Sequence, residues 1–129
     1  MLSKAELSQS LQNLCPGITV VAGFEASSYG GWHGDGGTVT IYLVNPADTD
    51  GLIAALKRFH EEKRKEWPEN YNYEWTESPR FDLGSLEDLI PERFHPKAGT
   101  YIIGREAGRE HTISIEKTTG YVCFESSRS

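Results

Sequence analysis

Residues 50–76 have the sequence DGLIAALKRFHEEKRKEWPENYNYEWT, in which a helical pattern is followed by a strand pattern. Leu52 and Leu56 lie one helical turn apart on an apolar stripe, which predicts a helix over roughly residues 50–66. In residues 71–76, aromatic and polar side chains alternate with the period of two that is typical of a half-buried strand. A helix followed directly by such a strand indicates a mixed fold.

The rest of the chain extends this pattern in both directions. Leu7, Leu11 and Leu14 predict a first helix, and Ser85 begins a predicted short third helix that ends near Ile90. Further β-prone runs lie at Ile18–Phe24, Thr38–Val44, Thr100–Gly104, His111–Glu116 and Tyr121–Glu125. We therefore expect an α+β fold, with a mainly antiparallel sheet of five or six strands and two or three helices packed mostly on one face.

The size and charge of the chain limit its class of function. The 129 residues match one domain, 1–129, that is long enough to fold on its own core. Nineteen acidic residues outnumber thirteen basic ones, giving a formal net charge of −6. A negative surface repels phosphate backbones, so we expect no nucleic-acid partner. The same charge suits a protein partner with a basic surface, although it also serves solubility alone.

The cysteines and the apolar runs indicate the compartment. Two cysteines, Cys15 and Cys123, are too few for a disulfide-built scaffold, although a single bridge between them stays open. No signal peptide precedes the first helical pattern, and no apolar run approaches the roughly 20 residues that cross a bilayer. We therefore expect a cytoplasmic protein with no membrane partner and with both thiols reduced.

A glycine-rich segment, residues 29–37, joins the first two predicted strands. We expect Glu25–Gly37 to form the loop of an antiparallel hairpin, with glycines that permit a positive φ. The segment also carries Trp32, His33 and Asp35, which could stack on, exchange a proton with and attract a small ligand. It matches neither a phosphate-binding loop nor a dinucleotide fingerprint, because no Lys-Ser/Thr pair and no helix follow the glycines.

No catalytic or metal-binding motif is evident. His60, His95 and His111 are scattered without ligand spacing, and no HExxH or CxxC pattern occurs. His111, at the start of a strand, is expected at the surface. The sequence therefore predicts no catalytic residue, no metal and no cofactor.

The segment between residues 67 and 77 concentrates rings and carboxylates. Packing of these rings in the core is one interpretation. A recognition surface is the other, because Trp and Tyr with nearby acids are typical of contacts that bind a basic partner. On the second interpretation, the predicted binding residues are Trp67, Glu69, Tyr71, Tyr73, Glu74 and Trp75, with Trp32, His33 and Asp35 as a second patch.

Gly120–Phe124 resembles the last hairpin of some bacterial toxin-immunity proteins, and Tyr29–Phe59 resembles small α/β modules that accompany larger domains in bacterial proteins. Neither resemblance implies a role for any residue. Our first hypothesis is a non-enzymatic protein-binding module, of the immunity, antitoxin or inhibitor type, that is a monomer or homodimer. The alternative is a small-ligand-binding protein or modest enzyme that uses the glycine-rich loop with His33 and Asp35.

Overall fold

A computed structural model describes residues 11–30, 35–69, 71–81, 84–106 and 111–128. Within these, residues 26–30, 35–37, 84–86 and 127–128 are described by their backbone alone. The helix is α1 (Thr49–Glu66), and the strands are β1 (Val20–Gly30), β2 (Asp35–Val44), β3 (Tyr73–Ser78), β4 (Tyr101–Glu106), β5 (His111–Glu116) and β6 (Tyr121–Arg128).

The six strands form one sheet in the order β1-β2-β6-β5-β4-β3, and every neighbouring pair is antiparallel. The predicted α+β fold and antiparallel sheet are therefore confirmed. The predicted strand at 111–116 and the predicted helix at 50–66 match β5 and α1 within one residue. Clear apolar periodicity defines both elements, and α1 ends at Glu66, shortly before Pro68, which cannot continue a helix.

Of the two or three predicted helices, α1 is the one α-helix that lies entirely within the described residues. Of the predicted first helix, residues 11–14 are helical and the earlier residues lie outside the described part. The predicted third helix is instead a 3₁₀ turn over Gly84–Leu89, and Glu92–Phe94 forms another. Pro91 disfavours the α conformation at the residue before it, so this segment cannot continue as an α-helix.

The α-helical residues pack on one face of the sheet, where Leu11 joins the cluster formed by α1, and the 3₁₀ segment lies on the other. α1 covers one face of the sheet through a core cluster that includes Leu52, Leu56, Ile115 and Val122. The opposite face is covered by the 3₁₀ segment, from which Ile90 and Phe94 pack in a second cluster, with Val39, Ile41, Tyr101, Ile103, Tyr121 and Cys123 from the sheet. The sheet is therefore the middle of three layers.

The glycine-rich segment is mostly strand and not loop. β1 continues to Gly30 and β2 begins at Asp35, with Glu25 opposite Thr40 and Ser28 opposite Gly37. The predicted loop over Glu25–Gly37 is therefore wrong for residues 25–30 and 35–37, which are strand, and residues 31–34 lie outside the described part. Ladder pairing satisfies the backbone of these Gly and Ser residues, which outweighs their low intrinsic preference for strands.

β5 and β6 form an antiparallel hairpin, with its turn at residues 117–120. Gly120 has φ 75°, and a Cβ atom there would lie 1.9 Å from the carbonyl oxygen of Val44. Only glycine fits this position, because any side chain would overlap the backbone of β2.

Candidate functional site

A cleft of about 890 Å³ lies between α1, the helical turn at residues 11–14 and the adjoining face of the sheet. Much of its wall is apolar or aromatic, with Leu14 beside the helical turn, Leu56 and Phe59 from α1, and Ile113 and Phe124 from the sheet. Tyr71 and Tyr73 complete this lining at the side of β3. The cleft has the size and the lining of pockets that hold small molecules.

A row of polar side chains crosses the sheet at one end of the cleft. Strand register places Thr38 of β2 opposite Ser126 of β6, and Ser126 opposite His111 of β5. All three residues line the cleft. The next residue in the row is Glu106, the last residue of β4.

Glu106 and His111 form a close pair at the end of the β4–β5 hairpin. Nδ1 of His111 lies 3.3 Å from Oε2 of Glu106. The side chain of Glu106 is 6% exposed and that of His111 is 42% exposed. Carboxylates are almost never buried to this extent without a partner. Here the hydroxyl of Tyr73 also hydrogen-bonds to the Glu106 carboxylate, and desolvation together with that negative charge raises the pKa of Tyr73.

His60 brings a second imidazole to the same region, from α1. Its ring stacks on Tyr73 with centroids 3.8 Å apart and planes 3° from parallel. The residue is 7% exposed, and its Nδ1 atom has no hydrogen-bond partner within the described part of the chain. Burial lowers the pKa of His60, and the nearby charge of Glu106 opposes this shift in part. His60 is therefore held mainly as neutral imidazole.

These residues give the cleft a defined chemical character. Its largely apolar and aromatic walls favour a molecule with a large apolar part, and the polar row at one end, which includes the His111 imidazole, offers a proton acceptor and hydrogen bonds. The lining also includes the charged residues Arg58, Glu62 and Glu125, so a polar group on a ligand finds partners at defined points of the cleft.

Three of the six predicted binding residues lie toward α1. Tyr71, Tyr73 and Trp75 are half-buried and line a second, smaller groove of about 400 Å³ along the helix. Trp75 and Tyr73 pack against the core cluster beneath α1, so part of their surface serves the core. The groove also contains Lys57, Glu61 and Arg64, with the ammonium of Lys57 5.6 Å from the Trp75 ring centroid.

The other three predicted binding residues are exposed and do not join those rings. Trp67 is 57% exposed at the end of α1, and Glu69 is exposed shortly after it. Glu74 is exposed and alternates with Tyr73 and Trp75 along β3, so it points to the opposite face. The binding role of all six residues stays a prediction.

The second predicted patch is largely outside the described residues. Trp32 and His33 lie there, and Asp35 begins β2 with only its backbone described. A ligand-binding role for these three residues therefore also stays a prediction.

The sequence-based analysis missed Glu106, His60 and His111. A signal was present for the two histidines. His60 follows Leu52 and Leu56 on the same helical stripe, and His111 precedes Ile113 and Ile115 with the period of two. A polar residue that continues an apolar pattern faces the core side, which is where the structure places both imidazoles. His111, expected at the surface, is half-buried, and 42% of its side chain is exposed.

The two cysteines have no part in this cleft's chemistry. Both are free thiols, so no bridge joins Cys15 to Cys123. Cys123 is fully buried, and this burial raises the pKa of its thiol, with the charge of Glu125 acting in the same direction. The thiol is therefore protonated and inert as a nucleophile.

Within the described residues, no group of three or more His, Cys, Asp or Glu side chains is arranged to hold a metal ion. No helix in that same part of the chain combines the length and apolar character of a membrane span.

No protein-family model, curated protein or solved structure matches this chain. Inference about function therefore depends on the site itself.

Proposed function

We propose that the protein binds a small, mainly apolar molecule in the cleft between α1 and the sheet. The observation that carries this proposal is the cleft itself, about 890 Å³ in volume, with apolar walls and the Glu106–His111 pair at one end. Ligand pockets usually enclose about 300–1,000 Å³ and combine apolar walls with a few converging polar groups. The ligand site predicted from the sequence was the glycine-rich segment, whereas the site that we propose is this cleft.

The polar end of the cleft supports a specific orientation for the ligand. Glu106 is held by His111 and Tyr73, so its carboxylate has a fixed position in an apolar setting. This carboxylate fixes His111, which lines the cleft with Ser126 and Thr38, and fixed polar groups favour a ligand group that hydrogen-bonds to them. The apolar body of the ligand then lies against Phe59, Ile113 and their neighbours.

A substitution that fills the cleft tests the proposal. Thr40 lines the cleft from β2, so Thr40→Phe places a ring in the space that the ligand would occupy. We expect phenylnaphthylamine, an uncharged dye whose emission rises in apolar surroundings, to bind the wild-type chain saturably. In Thr40→Phe its Kd should rise at least about tenfold, equivalent to about 1.4 kcal/mol. Fluorescence titration measures both values.

Thr76→Phe provides the matched control. Thr76 is exposed on β3 and lies on the face away from the cleft, so the same substitution there should leave dye binding unchanged. Thermal unfolding should show that both variants remain folded. Equal dye affinity in the wild type and Thr40→Phe would contradict the proposal.

A second candidate function is the protein-binding module expected from the sequence. Two observations favour it: Trp67 is 57% exposed, and Tyr71, Tyr73 and Trp75 line the smaller groove beside α1. An exposed Trp and aromatic rings that line a groove are typical of the contacts that dominate protein interfaces. The exposed carboxylates of Glu69 and Glu74 suit a basic partner, of the kind that an immunity or inhibitor protein blocks.

Charge reversal tests this second candidate. The immobilised chain should retain one basic protein from a lysate of its native cells. The Trp67→Ala and Glu74→Lys variants should each capture much less of that protein than the wild type, because hot-spot substitutions cost about 2 kcal/mol or more of binding free energy. Glu92→Lys, an equally exposed site on a 3₁₀ turn, is the control and should retain it. Identical capture by all four chains would count against this function.

A further inference from the structure

We propose that His111 is a general base, which removes a proton from an acidic carbon–hydrogen bond of a small apolar molecule held in the cleft. This inference rests on the proposed ligand-binding function of the same cleft. It assigns a reaction to the site, and it makes Glu106 the residue that positions the base.

The geometry of the pair carries the inference. With its proton on Nδ1, His111 donates to Oε2 of Glu106 across 3.3 Å. Its Nε2 atom then carries the lone pair, on a ring that lines the cleft. A carboxylate that fixes the tautomer and orientation of an imidazole is the arrangement that prepares histidine for proton transfer.

The burial of Glu106 distinguishes this pair from an ordinary surface contact. Exposed ion pairs contribute about 0–1 kcal/mol and need no burial. Glu106 is 6% exposed while His111 is 42% exposed and lines the cleft, so the carboxylate is shielded from solvent and the imidazole is accessible. A buried carboxylate carries a desolvation cost, and it stabilises the imidazolium that forms when Nε2 takes up a proton.

The surroundings favour a carbon acid as the substrate. Ser126 lies beside His111 in the polar row, and beyond that row the cleft is lined by Ile113 and Phe124, with Tyr71 and Tyr73 on the other side. These apolar and aromatic walls hold an apolar substrate against Nε2 of His111, so orientation of the reacting atoms favours proton transfer. The substrate class is thus a small, largely apolar molecule with an electron-withdrawing group beside the carbon–hydrogen bond.

Nitrobenzisoxazole is a suitable probe, because one base is enough for its ring opening. The lone pair on Nε2 of His111 takes the ring proton, and the electrons of the carbon–hydrogen bond form the nitrile. The nitrogen–oxygen bond breaks, and its electrons leave on oxygen as a coloured phenolate. The imidazolium returns its proton to solvent, so no oxidant or other co-reactant is needed.

We expect the wild-type chain to accelerate this reaction above buffer. In His111→Gln, kcat/KM should fall about 100-fold, within the usual contribution of a general base. Thr40→Phe should remove the reaction by blocking the cleft, whereas Glu92→Gln, an exposed carboxylate elsewhere, should react like the wild type. A rate that survives His111→Gln or Thr40→Phe overturns the inference.

The role of Glu106 has its own readout. In the wild type, nitrogen NMR shifts should place the His111 proton on Nδ1. Glu106→Gln should allow a mixture of tautomers and slow the reaction at least about tenfold. If His111→Gln does not fold, the tautomer in the wild type still decides, because a proton on Nε2 would leave His111 without a lone pair on that nitrogen to act as the base.

These experiments separate the two proposals. Dye binding that Thr40→Phe blocks, together with an elimination rate that is unchanged in His111→Gln, would retain ligand binding and reject the general base. Absence of dye binding would reject the ligand site first, and the general base with it.

Discussion

Glu116 lies at the end of β5, is 1% exposed, and organises the turn that follows. Its carboxylate accepts hydrogen bonds from the backbone N–H groups of Thr118, at 2.9 Å, and Thr119, at 2.7 Å. The Thr119 hydroxyl donates a third, also at 2.7 Å. Burial raises the pKa of Glu116, but these hydrogen bonds outweigh it and the net pKa is lowered. The folded protein is therefore stabilised by the ionised form of Glu116.

Glu116→Gln should destabilise the protein at neutral pH. The amide keeps the shape but loses acceptor capacity, so we expect a loss of about 1–3 kcal/mol in the free energy of unfolding. Because the folded pKa is lowered, the contribution of Glu116 is complete above its ordinary value of 4.5 and is lost as the pH falls through the folded pKa. Urea unfolding across that range should show the gap between wild type and variant closing toward acid. With Glu92→Gln as the control, a gap that is constant with pH would contradict this account.

Among the helices and strands, those with a regular pattern of apolar residues can be predicted from the sequence. α1 and β5 follow from regular apolar spacing, and β3 from the alternation of rings with polar residues. The ends of β1 and β2 do not follow, because Gly and Ser have low strand preference and only the partner strand makes their backbone extended. The 3₁₀ turn over Gly84–Leu89 is missed for a similar reason, since its conformation depends on Pro91 and on packing against the sheet.

The candidate site illustrates the same limit. Patterns along α1 and β5 place His60 and His111 on core-facing stripes, and this much could be predicted. The pairing of His111 with Glu106 could not, because residues 105–110 have the composition of a turn. Only the register of β4 against β5 brings the carboxylate and the imidazole to 3.3 Å. A site made by strand register is not visible in local sequence.

At the scale of the whole molecule, the sheet is the middle of three layers, and its two faces are covered by different kinds of structure. The 3₁₀ layer packs Phe94 against Phe24 with ring centroids 5.4 Å apart, and the Tyr121 hydroxyl donates to the Phe94 carbonyl at 2.8 Å. On the other face, the apolar packing of α1 is continuous around Leu52 and Leu56, and the cleft lies beyond it. His60 is placed where the packed part of the helix meets the cleft.

This position makes His60 a link between pH and global stability. Because burial lowers its folded pKa, the unfolded chain binds a proton more readily than the folded chain once the pH falls below about 6.5. Wild-type stability should therefore fall between pH 7 and pH 5, with each unit of difference in pKa worth about 1.4 kcal/mol. His60→Phe keeps the stack on Tyr73 and removes both the titration and the unpaired Nδ1 atom, so its stability should change less across this range. Far-UV circular dichroism and tryptophan fluorescence in urea should give coincident transitions for both chains. If the two proteins lose stability equally on acidification, burial of His60 is not what couples the fold to pH.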